Sequence, residues 1–129
     1  MRLSGFHHVA VFARDVAKVA DFYQQVIGLP LIARHHHPGG ALRSVWLGVS
    51  SLGGVEQGFL AVEEASGRPA AGSAVVALRI AASDRAAIVR ALADAQVPIE
   101  KESRWTVYVR DPEGNVLGLS HHPHDLPGT

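Results

Sequence analysis

The sequence predicts an α+β fold: two βαβββ modules forming an eight-stranded, cup-shaped mixed sheet with helices on its convex face. Three observations carry that expectation. Two half-chains repeat one order of elements, the kind of internal similarity that sets architecture before any single residue does. Each half opens on a short apolar strand, passes through one helix-period stripe, and then turns to period-two segments. Clusters of Gly, Pro and Ser punctuate those segments. At 129 residues, 47% of them apolar, the chain can bury roughly two-thirds of its unfolded surface in one core, without help from a metal or a disulfide.

In the first module, about residues 5–66, Phe6 to Phe12 reads as a strand. Asp15 caps a helix from Val16 to about Val26, in which Val16, Val19, Ala20, Tyr23, Val26 and Ile27 form the apolar stripe. Gly28 stops it. Strands follow at about Leu31 to His36, Leu42 to Val49 and Gln57 to Val62, separated by Pro38-Gly39-Gly40 and by Ser50-Ser51-Leu52-Gly53-Gly54. Gly67 to Gly72, with Pro69, reads as the linker. The second module, about residues 73–122, opens with a strand from Ala74 to Ile80. A helix from about Asp84 to Ala95 comes next, with Ile88, Val89, Leu92 and Ala95 on one face and Ser83 as its cap. Strands at about Ile99 to Glu102, Trp105 to Arg110 and Val116 to Ser120 complete it. Eight strands in two such units curl into a cup.

Composition excludes several classes of function. The 12 basic and 12 acidic side chains are scattered without blocks, so no electrostatic footprint for nucleic acid or an anionic membrane exists. Partners are expected to be a small molecule or a second copy of the chain. Cysteine is absent, which excludes disulfides and thiol catalysis and suits a reducing cytoplasm. The N-terminus lacks a signal-peptide pattern, and no apolar run approaches the roughly 18 residues of a spanning helix. A cytoplasmic protein is the expectation.

The most specific stretch is Tyr108-Val109-Arg110-Asp111-Pro112-Glu113-Gly114-Asn115-Val116-Leu117-Gly118-Leu119-Ser120. Asp111-Pro112-Glu113-Gly114 is a four-residue turn in the usual chemical order: Asp to bond the backbone ahead, Pro to preset φ, Gly last. The flanking β-branched and apolar residues make two paired strands. This stretch resembles the terminal hairpin of the vicinal oxygen chelate superfamily, which includes glyoxalase I, bleomycin-resistance, fosfomycin-resistance and extradiol dioxygenase families. Phe6-His7-His8-Val9-Ala10-Val11-Phe12-Ala13-Arg14-Asp15 is similar to the superfamily's first strand. Val19-Ala20-Asp21-Phe22-Tyr23-Gln24-Gln25-Val26-Ile27-Gly28-Leu29-Pro30 is similar to its helix. The resemblance spans nearly the whole chain.

The resemblance implies a divalent-metal site on the concave face, and this chain departs from it. The implied ligand positions read His8, Gly58, Val75 and Gly118. One imidazole cannot hold a catalytic ion, because such sites need about three protein ligands with one position left open. No cofactor is therefore expected. Strand alternation then assigns the inward set. His8 brings Phe6, Ala10 and Phe12; Gly118 brings Val116 and Ser120; Val75 brings Ala77 and Arg79. The strand before the turn points Thr106, Tyr108 and Arg110 inward, and the fourth strand points Glu56, Gly58 and Leu60 inward. Gly118 is expected to face a cavity with room.

The leading functional expectation is a small-organic-molecule binder whose cup is lined by His8, Trp46, Glu56, Arg79, Thr106 and Tyr108, acting as a homodimer because a cup of two modules leaves sheet edges to cover. If the site is catalytic, His8 and Tyr108 are the candidate catalytic residues. The rival is a metal-dependent lyase, isomerase or dioxygenase that combines His8 with noncanonical ligands. His8 reads equally as a base near neutral pH, a cavity hydrogen-bonding group, or an imidazole satisfied by a neighbour. Arg79 reads as a partner of Glu56 or of a ligand. Trp46 offers an aromatic wall to a planar ligand or simply fills the cup. His35-His36-His37 is an alternative metal candidate, since alternation sets His35 and His37 on one face about 7 Å apart; its other reading is a solvated turn. His121-His122-Pro123-His124-Asp125 lies near the C-terminus, where chains fray, and reads as a cavity lid, a metal clip or a run with no role.

Overall fold

The computed structural model describes residues 1, 6–52, 54–65 and 75–128. The proposed linker at 67–72 and the start of the fifth strand at Ala74 lie outside them. Eight strands fall into two four-stranded mixed sheets of identical topology: β1 (His8–Ala13), β2 (Leu31–His36), β3 (Leu42–Gly48) and β4 (Phe59–Glu64) in the order β1-β4-β3-β2, and β5 (Val75–Arg79), β6 (Lys101–Glu102), β7 (Thr106–Arg110) and β8 (Val116–Ser120) in the order β5-β8-β7-β6. In each sheet the first strand runs parallel to the last, and the remaining pairs are antiparallel. A parallel neighbour requires a crossover, and each module supplies one through its helix.

Helix α1 starts at Val16, where Asp15 Oδ1 accepts from the Lys18 amide at 3.0 Å. After Asp21 it widens into a π-helical turn, Phe22–Ile27, and ends at Gly28 with φ of 91°. That left-handed conformation is open to glycine without penalty. Helix α2 (Arg85–Asp94) follows a 3₁₀ turn at Ala82–Asp84. The expected Ser83 cap is corrected here: Ser83 sits inside the 3₁₀ turn, and Asp84 holds the N-cap position without a side-chain bond.

One core joins the modules. Val11 and Ala13 of β1, Val45 and Leu47 of β3, and Leu60 and Val62 of β4 pack on Val16, Val19, Ala20, Phe22 and Tyr23, and continue into Leu92, Val107, Val109, Leu117 and Leu119. Alternation then turns His8, Ala10 and Phe12, and in the other sheet Thr106, Tyr108, Gly118 and Ser120, to the opposite face.

The fourth strand is displaced from its expected register. Val55–Gln57 forms a 3₁₀ turn closed by Gly58 at φ of 85° and ψ of 153°, so β4 begins only at Phe59. Glu56 and Gly58 therefore lie outside the strand, and Leu60, 1% exposed, faces the helices rather than the cup. Phe59, Ala61 and Glu63 take the inner positions opposite His8, Ala10 and Phe12. A one-residue shift exchanges the two faces of a strand, which is why the positive φ at Gly58 reassigns the whole of β4.

Candidate functional site

The site is positioned by the Asp111 turn. Asp111 is 4% exposed, and both of its carboxylate oxygens are engaged. Oδ1 accepts from the amides of Glu113 and Asn115, each at 2.9 Å. Oδ2 accepts from Asn115 Nδ2 at 2.8 Å and from the Tyr23 hydroxyl at 2.9 Å. Burial first, and the Asp111 charge second, push the Tyr23 phenol well above its ordinary pKa, which keeps it a donor. Glu113 Oε1 accepts from the Arg14 side chain at 2.8 Å, so the turn ties the second sheet to the end of β1.

Between the free edges of β1 and β5 lies a cleft of about 460 Å³. His7, His8, Glu56, Gln57 and Phe59 line one side, and Val76, Ala77 and Leu78 the other. His7 and His8 share a hydrogen bond between their Nδ1 atoms at 2.9 Å, which requires one proton between them and leaves both Nε2 atoms unengaged by it. Behind His8 the rings continue across the sheet. The Phe59 ring stacks on His8 (5.0 Å, 11°) and on Trp46 (4.5 Å, 27°), and His35 meets Trp46 edge-on at 4.5 Å. Residues from all four strands thus form one aromatic pile. His35 Nε2 is buried within it with no hydrogen-bond partner.

The structure brings His8 and Glu56 to the same cleft and joins Trp46 to them through Phe59. It sets the other expected lining residues elsewhere. Thr106 is buried, donating to Ser120 Oγ at 2.9 Å. Tyr108 lies over Gly118, with Lys101 Nζ 5.9 Å from its ring centroid. Arg79 lines a separate apolar cavity of about 150 Å³ between the end of α1 and α2. No ion pair among the described residues joins it to Glu56.

Gly118 does not face open space. A Cβ there would meet Thr106 Cγ2 and Tyr108 Cε1 at 3.3 Å each, so the room expected around it is already filled by the Tyr108 ring.

The histidine runs also differ from expectation. A register shift between His35 and His36 breaks the alternation of β2. His35 packs on Trp46, while His37 Nε2 bonds Glu64 Oε2 at 2.6 Å, so the two imidazoles do not converge. The C-terminal run is not frayed. His121 is 1% exposed, donating from Nδ1 to the His124 carbonyl at 2.6 Å and accepting at Nε2 from Arg85 Nη1 at 2.9 Å.

Residues 5–119 match the model of the Glyoxalase/Bleomycin resistance protein/Dioxygenase superfamily. The chain belongs to this superfamily. Among solved structures, a lactoylglutathione lyase from Agrobacterium tumefaciens aligns at TM-score 0.70 and 21% identity, over 95% of this chain and 96% of that one. The fosfomycin resistance protein FosX from Listeria monocytogenes, solved with Mn(II) and 1S,2S-dihydroxypropylphosphonic acid, aligns at TM-score 0.71 and 15% identity, over 93% of each chain. An integron cassette protein from the mobile metagenome of the Halifax Harbour sewage outfall aligns at TM-score 0.73 and 20% identity, over 92% of this chain and 99% of that one. Identities this low establish a shared superfamily fold and no shared activity. No curated protein matches the sequence.

Three of the four positions at which the resemblance implies metal ligands carry no donor side chain. Val75 is apolar and 50% exposed, Gly58 belongs to a turn, and the Tyr108 ring occupies the space into which a side chain at 118 would project. Among the described residues no group of three or more His, Asp or Glu gathers as a ligand set. No helix there is long and apolar enough to cross a membrane.

Sequence reasoning missed Phe59, His35 and His7 as parts of this site. Gly54 and Gly58, four residues apart around Val55-Glu56-Gln57, were the available signal for a turn that delays β4. Nothing in the sequence marked the His7–His8 contact.

Proposed function

We propose that this superfamily member binds a small organic molecule in the cleft between β1 and β5, and does so without the superfamily's metal chemistry. The observation that carries the reading is the coincidence of two features. A partly enclosed cleft of about 460 Å³ presents polar groups from His7, His8, Glu56 and Gln57 against an apolar wall, the usual make-up of a ligand site. The implied ligand positions beside it supply His8 and no further donor. His8 then serves as a hydrogen-bonding group, and as the first candidate for a base if the bound molecule is also transformed.

The same reading takes the working form to be a homodimer. Phe6, Val9, Val49 and Val55 are exposed around the cleft, with Val75 on the facing strand. Among the described residues the β1 and β5 edges beside them pair with no further strand, and a symmetric partner would cover both. Sedimentation equilibrium is expected to give twice the chain mass at micromolar concentration; a monomer there overturns this part.

The binding claim is tested by thermal stabilisation across a panel of small organic compounds, with Mn(II) and Ni(II) run alongside. Ala77 lines the cleft and is exposed, so Ala77→Trp fills the cleft without disturbing the core. The expected result is stabilisation of the parent by some compounds, its loss in Ala77→Trp, and no shift with either metal. Stabilisation by metal that disappears in His8→Ala would instead favour a metal-dependent lyase, isomerase or dioxygenase.

A further inference from the structure

We propose that the cleft selects planar heteroaromatic molecules that are positively charged or neutral, and discriminates against anions. This rests on the reading of the cleft as a small-molecule site and names the class of ligand it takes.

Two independent features of the cleft wall point the same way. The first is the aromatic pile. Its rings come from β2, β3, β4 and β1 in spatial order: His35 meets Trp46 edge-on, and Trp46, Phe59 and His8 then stack face on face. Phe59 is closed on both sides, by His8 and Trp46, and is only 3% exposed. The stacked rings end at His8, an exposed residue on a strand that is an edge among the described residues, and the His7 ring stands edge-on beside both His8 at 5.2 Å and Phe59 at 5.4 Å. One face of the His8 ring is taken by Phe59, and the cleft begins where the next ring would lie. A planar ligand therefore extends an existing stack, with Ala77 and the flanking Val76 and Leu78 as the opposite wall. Small side chains there leave space for a flat molecule. Offset stacking of this kind favours aromatic over aliphatic ligands beyond the area buried.

The second feature is charge. Among the described residues that line the cleft, Glu56 is the one Asp, Glu, Lys or Arg. Glu56 is exposed, and among the described residues it has no ion-pair partner. A cation gains from Glu56 and from the negative faces of the rings together. An anion meets a carboxylate and, among the described lining residues, no Lys or Arg.

The test uses three probes of one shape, measured by calorimetric titration of the full chain at pH 8, where an ordinary imidazole is neutral: an aminoacridine cation, neutral acridine, and an acridine carboxylate. Affinity is expected to fall in that order, by about tenfold between cation and neutral probe, the scale of one partly solvated ion pair. Glu56→Gln should close the gap between the first two and leave acridine unchanged. His8→Leu, at an exposed position, should weaken all three. Carboxylate binding as tight as that of the cation, or an unchanged order in Glu56→Gln, overturns the proposal. If none of the three binds while a non-aromatic compound still stabilises the parent and not Ala77→Trp, the ligand class is wrong and the cleft reading survives. If nothing stabilises the parent, both fall.

Discussion

Gly118→Glu tests the inner face of the second sheet most directly. A Cβ at 118 would stand 3.3 Å from Thr106 Cγ2, 3.3 Å from Tyr108 Cε1 and 3.4 Å from Tyr108 Cδ1. An Ala needs only a few tenths of an ångström of retreat, which the half-buried Tyr108 ring can give. A Glu carries two further carbons and a carboxylate through the volume that the ring now fills, and the ring must rotate out, away from Gly118 and from Lys101. Overpacking of this kind costs about 1–3 kcal/mol. At roughly 4 °C per kcal/mol for a chain of this size, the melting temperature should fall by about 4–12 °C. Tyr108→Ala should absorb most of the penalty, so a double-mutant cycle read by urea unfolding should show coupling of about 1 kcal/mol or more. If Gly118→Glu melts with the parent, or if its cost is the same with and without Tyr108, the ring does not occupy that space and the argument against a ligand at 118 fails.

Tyr23→Phe removes a hydroxyl that donates to a buried carboxylate and should cost about 1.5–3 kcal/mol in denaturant unfolding. Because folding raises the Tyr23 pKa above the ordinary phenol value of about 10, the neutral phenol favours the folded state. That contribution is complete below pH 10 and is lost as pH climbs beyond it; parent stability should drop there, and a variant with the same slope would contradict the assignment. His121→Ala removes one of the two acceptors of Arg85 Nη1, the other being the Arg104 carbonyl at 3.1 Å, and opens a cavity at a 1% exposed site, so a loss of about 2–4 kcal/mol is expected. An unchanged urea midpoint would mean the C-terminal residues are not held as described. Gly114→Val places a β-branched residue at φ of 97° and should cost about 1–3 kcal/mol; equal melting temperatures would remove the turn from the list of fold determinants.

Legibility in the sequence followed the range of the forces involved. The bounds of β2 and β8 and the starts of β3 and α1 were readable, because Asp15, Gly28 and Asp111-Pro112-Glu113-Gly114 act within a few residues of themselves. Periodicity failed where the backbone departs from a regular period: at Gly58, whose positive φ inverts β4, and between His35 and His36, where a register shift separates two imidazoles that alternation would pair. The candidate site was legible only in part. His8 and Glu56 meet at the cleft, but Thr106, Tyr108 and Arg79 are engaged elsewhere, since which inward residues converge depends on how the two sheets are set against each other. His121 was misjudged for a related reason. Its partner Arg85 is 36 residues away in sequence, and no local pattern announces it.

The Asp111 turn also fixes what kind of object this protein is. Tyr23, Arg14 and the Phe12 carbonyl all belong to the first half, and all three bond to residues of this one short turn in the second. The two sheets repeat one topology, yet among the described residues the fastening is one-sided: the corresponding connection between β3 and β4 ends in a 3₁₀ turn, and its one side-chain hydrogen bond is local, from the Leu52 amide to Ser50 Oγ. Mechanically the turn is a rivet, the point at which three bonds between the halves converge. Two separately made half-chains would carry complementary parts of one joint, with the aromatic pile entirely on one piece and its facing wall on the other.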